Sequence, residues 1–138
     1  MPRVGLLLAL SREHHFSLVM ARDARRAAGE EDTVTLSAAI QRIEDHCRSV
    51  LAAHFEEEER LLAIAKEALD PASIARILAE HAELRLLGSE AYLEPAARLR
   101  RFGELLSAHV RYEERVIFPQ LQPHPCITPP DANDGVDR

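Results

Sequence analysis

Tryptophan is missing from this chain and aromatic residues of all kinds make up only 4% of it. The interior must therefore be built from Leu, Ala, Ile and Val, a composition that suits helices. No segment alternates apolar and polar residues with the period of two that a half-buried strand needs, so no sheet is expected. Cysteine is scarce: Cys47 lies in a helical run and Cys126 in a Pro-rich tail, contexts too unlike to read as a disulfide framework, and both are read as reduced thiols. Long apolar runs are missing too. Val4–Leu10 (VGLLLAL) is cut short by Ser11-Arg12-Glu13-His14 with no small-residue cleavage site behind it. It reads as the first turns of a helix rather than a membrane span or leader, and a cytoplasmic protein without membrane association is the expectation. Basic charge is short, with 17 Lys and Arg against 23 Asp and Glu and a net charge of −6. That balance disfavours nucleic acid as a partner, because phosphate neutralisation needs a basic surface.

What is present is helical period broken at four points. The 138 residues, 46% of them apolar, are enough to close one core without disulfide support. A first helix is predicted from about Val4 to Ala28, stopped by Gly29. A second starts after Asp32 or Thr33, either of which can cap it, and runs to about Leu69 without an internal Gly or Pro. Asp70-Pro71 opens the third, which ends near Gly88–Ala91; Pro95 opens the fourth, which runs to about Phe118, where Pro119 ends or kinks it. Short connections between long amphipathic helices imply an all-α, up-down-up-down antiparallel four-helix bundle over residues 1–121. Residues 122–138, with four prolines and few large apolar residues, read as a mobile or loosely docked tail.

The chemistry is carried by a repeated spacing. His54 and Glu58 lie four residues apart on the second helix, and His109 and Glu113 repeat the device on the fourth. Residues so spaced stack on one helical face, so two such pairs facing each other can enclose a dinuclear centre. Seen once, the pair would be an ordinary solvated one. Seen twice, with His81 on the third helix and His14 or His15 on the first, it reads as a metal-ligand set. Four imidazoles and two carboxylates without a thiolate suit Fe, Mn or Zn. Six such ligands cannot fill two octahedral ions, so open positions are expected.

The ordered fragments Glu13-His14-His15, His54-Phe55-x-x-Glu58-Glu59, Glu80-His81-x-x-Leu84-Arg85 and His109-x-x-x-Glu113-Glu114-x-x-Ile117-Phe118-Pro119 resemble the hemerythrin HHE cation-binding family over roughly residues 5–121. The resemblance implies a four-helix bundle around two iron ions joined by an oxo or hydroxo bridge. It also implies small diatomic or oxidant ligands and a role in binding or sensing oxygen, reactive oxygen or nitrogen species, or iron. A diiron enzyme of iron-repair or peroxide-reducing type is the alternative, and a metal-free helical interaction protein is a second. Oxygen-carrying members have a further histidine one turn after the position of His81. Arg85 stands there, and a guanidinium cannot ligate a metal, so reversible oxygen carriage is not expected.

The first-helix ligand is read in two ways. Helical period favours His14, which shares a stripe with Leu7, Leu10, Leu18 and Ala21; the family pattern His-x-x-Leu favours His15, with Leu18 three residues on, and the balance leans to His15. Glu56, Glu57 and Glu59 read as an exposed acidic run, Glu114 as a less favoured ligand than Glu113, and His46 and His124 as non-ligands. Cys47, seven residues before His54, is expected on nearly the same stripe as a small apolar packing residue.

Overall fold

Each helix boundary has a local chemical cause in the computed structural model, which describes residues 2–89 and 93–130. Helix α1 spans Gly5–Ala27 and carries Arg25 and Arg26 in its last turn, where cations offset the negative end of the helix dipole. Helix α2 (Thr33–His46) starts at Asp32, whose carboxylate accepts hydrogen bonds from the backbone N–H groups of Val34 and Thr35. It runs through a π turn, Cys47–Leu51, into α3 (Ala52–Ile64), with the N–H of Ala52 bonded to the carbonyl of Cys47. The second predicted helix is therefore one rod containing an extra residue. It stops at Ile64 rather than Leu69. A 3₁₀ turn, Lys66–Ala68, and an extended Leu69 follow. Asp70 then accepts from the N–H of Ala72 and starts α4 (Pro71–Ser89).

Helix α5 (Pro95–Tyr112) continues through a second π turn, Glu113–Ile117, into α6 (Phe118–Leu121). Pro119, predicted to end or kink this helix, does not end it, since the helix runs on to Leu121. A proline N has no hydrogen to give the preceding turn, and the π register leaves the carbonyl of Glu114 to accept from the Arg3 guanidinium instead. In the predicted tail, residues 122–130 form turns that dock Ile127 and Gln122 into buried positions, and the Gln122 amide donates to the carbonyl of Pro2 at 2.8 Å. Residues 131–138 lie outside the described residues.

Among the described residues there are helices and turns and no strand. α1 packs on α2 and α5, and α4 packs on α3 and α5. Gly103 permits one of these approaches: a Cβ there would lie 2.6 Å from the carbonyl oxygen of Ala21 on α1. At Gly88 a Cβ would lie 2.2 Å from the sulfur of Cys47, so α4 closes onto the first π turn only because no side chain intervenes.

The core falls into two apolar clusters. One gathers Ala21, Ile43, Phe55, Leu84, Phe102 and Leu106. The other gathers Leu7, Leu10, Leu61, Ile77, Ile117 and Phe118. On each of the four rods a buried polar residue marks the passage from one cluster to the other: His14 between Leu10 and Ala21, Glu58 between Phe55 and Leu61, His81 between Ile77 and Leu84, and Glu113 between Leu106 and Ile117. The fold thus sandwiches one polar layer between two apolar ones. Among the described residues no helix is long and apolar enough to cross a membrane.

Candidate metal centre

Six side chains meet in the polar layer, and all are buried: His14, His54, Glu58, His81, His109 and Glu113. They form two overlapping groups, His14, His54, Glu58 and Glu113 on one side and Glu58, His81, His109 and Glu113 on the other. In each group the candidate ligand atoms lie within 4.8 Å of one another, and the two glutamates belong to both. Glu58 Oε2 lies 2.8 Å from His54 Nε2 and 3.3 Å from His14 Nε2, while its Oε1 lies 2.9 Å from His81 Nε2. Glu113 Oε1 lies 3.0 Å from His14 Nε2 and 3.2 Å from His109 Nε2. Aromatic rings brace the two sides, Phe118 stacking on His14 at 5.1 Å between centroids and Phe55 on His81 at 4.0 Å.

A second set of glutamates surrounds the first. Glu13 Oε1 lies 2.8 Å from His54 Nδ1, Glu59 Oε2 2.8 Å from His81 Nδ1, Glu80 Oε1 2.7 Å from His109 Nδ1, and Glu114 Oε2 2.7 Å from His14 Nδ1. Each of these outer glutamates is the immediate sequence neighbour of an inner residue on its own helix: Glu13 of His14, Glu59 of Glu58, Glu80 of His81, Glu114 of Glu113. Consecutive residues of a helix point about 100° apart. A side chain beside an inward-pointing one is therefore aimed sideways, at the neighbouring helix.

This arrangement fixes what the histidines offer. A carboxylate only accepts hydrogen bonds, so each Nδ1 must be the donor, and a neutral imidazole then presents the lone pair of Nε2 to the interior. A bare lone pair facing a carboxylate oxygen at 2.8–3.0 Å is repulsive, and the layer needs either protons or cations between them. Without a metal ion, the surrounding carboxylates favour the protonated alternative. Burial works to lower the pKa of His14, but hydrogen bonds to Glu113, Glu114 and Glu58 outweigh it and push it up to about 11. Burial likewise opposes, and the charge of Glu113 overcomes, in raising His109 to about 9. His54 is raised despite its burial, chiefly by Glu58. Burial of Glu58 would raise its pKa, yet hydrogen bonds from His14, His54 and His81 hold it well below the ordinary carboxylate value. His109 Nε2, although near Glu113, is misaligned for a hydrogen bond and is a buried nitrogen without a partner. An inward-facing nitrogen of that kind, beside two shared carboxylates, fits a metal ion.

The sequence-predicted residues are therefore brought together with one exception. His15, the favoured first-helix ligand, is exposed in a surface groove with Leu18, Arg22 and Arg111, and His14 takes the inward place. The helical stripe through Leu7, Leu10 and Ala21 indicated this placement of His14. Glu59 is no member of a free acidic run, since it also binds the guanidinium of Arg85 at 2.8 Å. Arg85 leans outward onto that carboxylate and lies over the Phe55 ring at 5.4 Å. His46 is buried beside the site but bonded to Ser17 Oγ at 3.0 Å, and burial together with the charge of His54 lowers its pKa. His124 pairs with Glu67, and Tyr112 donates to Ser73. Cys47 packs against the first apolar cluster and against Gly88, as expected of a small apolar residue, and burial pushes its thiol up to about 12. Cys47 and Cys126 are free thiols.

The outer glutamates are what sequence reasoning missed. Their signal was present: an additional Glu beside an inner residue on each of the four rods, although Glu58 has one on either side.

The family model described as the hemerythrin HHE cation binding domain matches residues 7–121. Nothing matches among curated proteins or among solved structures. With most of its length under that one model, and a buried His and Glu layer suited to metal ions at its centre, the chain belongs to the hemerythrin HHE cation-binding family.

Proposed function

We propose that this protein holds two iron ions, one bound by His14 and His54 and the other by His81 and His109, with Glu58 and Glu113 shared between them. The observation that carries this reading is the pair of overlapping ligand groups with two glutamates in common. A mononuclear site would have no use for two equivalent histidine pairs. Two imidazoles and two shared carboxylates give each ion four protein donors, short of the six an octahedral ion takes, so small diatomic or oxidant molecules have places to bind. Iron is favoured over manganese or zinc by membership of the family. Arg85 occupies the position of the further histidine of oxygen carriers and is engaged with Glu59, so sensing or reacting with oxygen or nitrogen species fits this chain better than transport.

The same reading includes an up-down-up-down bundle. The outer glutamates support it: Glu13 and Glu80 precede their inner neighbours, whereas Glu59 and Glu114 follow theirs. If every outer carboxylate is to turn the same way around the bundle, helices of opposite direction need opposite offsets, and the alternation from helix to helix meets that requirement.

Anaerobic reconstitution with ferrous iron, followed by absorption spectra before and after admitting air, tests the function. The expected result is bound iron with an air-dependent band that disappears in the His54→Ala plus His109→Ala double variant. Absence of bound iron, or iron content unaffected by the double change, would overturn the proposal.

A further inference from the structure

We infer that the four outer glutamates form a closed ring of positioning residues, in which each helix holds the metal-binding histidine of the next. The inference rests on the metal reading above but concerns different residues. Glu13 on α1 holds His54 on α3; Glu59 on α3 holds His81 on α4; Glu80 on α4 holds His109 on α5; Glu114, just beyond α5, returns to His14 on α1. None of the four histidines is held by an outer glutamate of its own rod, and none of the four rods, α2 and α3 counting as one, is skipped. The four contacts fall within 0.1 Å of one another, from 2.7 to 2.8 Å.

A ring of this kind does two things for an ion. By accepting from Nδ1–H it fixes the tautomer, leaving Nε2 free to ligate, and it sets the ring plane. A helix displaced from its neighbour would turn the neighbour's imidazole away from the ion, so bundle geometry and ligand geometry are linked. The ring has its own supports. Arg85 holds Glu59 through Nη1 at 2.8 Å, Arg76 holds Glu80 at 3.1 Å, and Ser11 and Arg3 hold Glu114 at 2.7 and 3.3 Å. Arg85 thereby gains a role: it steadies the carboxylate that orients His81 and is not itself a ligand.

The test uses the full chain loaded with zinc, a diamagnetic probe ion, with Glu13, Glu59, Glu80 and Glu114 changed singly to Ala and to Gln. Glu56→Ala, at an exposed position outside the ring, is the control. Each ring Ala variant is expected to bind two zinc ions but release them to a chelator roughly 10- to 100-fold faster than the control. In imidazole nitrogen NMR, the Nδ1–H signal of the one facing histidine should move while the other three stay. Gln, which keeps an acceptor oxygen, should restore that signal and give an intermediate release rate, and Arg85→Met should shift the His81 signal alone. Should an Ala variant lose helicity, the isosteric Gln variant, with its intermediate release rate, is compared with the control in its place. Release at the control rate, or all four histidine signals moving together in every variant, would overturn the ring while leaving the metal site standing. A wild-type protein that takes up no metal would overturn the metal reading itself.

Discussion

At the residue scale, the choice between His14 and His15 decides how α1 addresses the rest of the molecule. His14 lies on the stripe that buries Leu7, Leu10, Ser17 and Ala21, whereas His15 points to solvent beside arginines. Changing His14 to Ala should lower bound metal from two ions per chain toward one, and His15→Ala should leave it unchanged, as metal analysis of the purified variants would show. His14, with His109 and Glu58, sets a pH dependence whose sign differs between the metal-free and loaded forms. In the metal-free chain His14 rises from 6.5 to about 11 and His109 from 6.5 to about 9, so folding takes up protons there. That contribution is complete below pH 6.5 and is lost as pH rises through about 9 and then 11. Glu58, depressed from 4.5, contributes above that value and is lost as pH falls through its lower folded value. Thermal unfolding of chelator-treated protein should therefore show a maximum between pH 4.5 and 6.5 and decline on the alkaline side. Metal uptake should strengthen with rising pH over that same alkaline range and release protons in weakly buffered solution, because the ion replaces the Nε2 hydrogens.

At the scale of elements, the number and order of the helices were legible because their causes are local: Asp32 caps α2, and Asp70-Pro71 and Pro95 open α4 and α5. The paired spacings His54/Glu58 and His109/Glu113 were legible for the same reason, since a four-residue interval has one meaning on a helix. The π turns were not. Each inserts one residue into an otherwise regular rod; the first leaves a step of five between the buried positions His46 and Leu51, whereas the second leaves the ordinary step of four between Glu113 and Ile117. The turn at Glu113–Ile117 is what lets the helix run on through Pro119. The outer glutamates were illegible singly because a Glu beside a buried residue is ordinarily solvated; only the neighbouring helix reveals its partner. The α1 and α5 interface carries its own prediction. Gly103→Ala would force a methyl to within 2.6 Å of the Ala21 carbonyl oxygen, a backbone atom that cannot swing aside. Urea unfolding of that variant should show a loss of about 1–3 kcal/mol, the range for overpacking a close contact.

At the scale of the whole molecule, a polar layer between two apolar clusters is a costly way to build a bundle unless something binds there. Buried carboxylates and imidazoles must be neutralised in place, and an unpaired one costs several kcal/mol. Ions that bind only the folded chain return stability by mass action, about 2.7 kcal/mol for each site at a free concentration of 100 times its dissociation constant. Chelation should accordingly lower the thermal midpoint at neutral pH, with readdition of ferrous iron restoring it; a midpoint indifferent to both would assign the layer to charge pairing alone. The most direct measurement is an anomalous difference map from crystals of the iron-loaded protein, recorded at the iron absorption edge. Two peaks are predicted, one among His14, His54 and the shared glutamates and the other among His81, His109 and the same glutamates. A single peak, no peak, or density at His15 in place of His14 would contradict the two-ion layer.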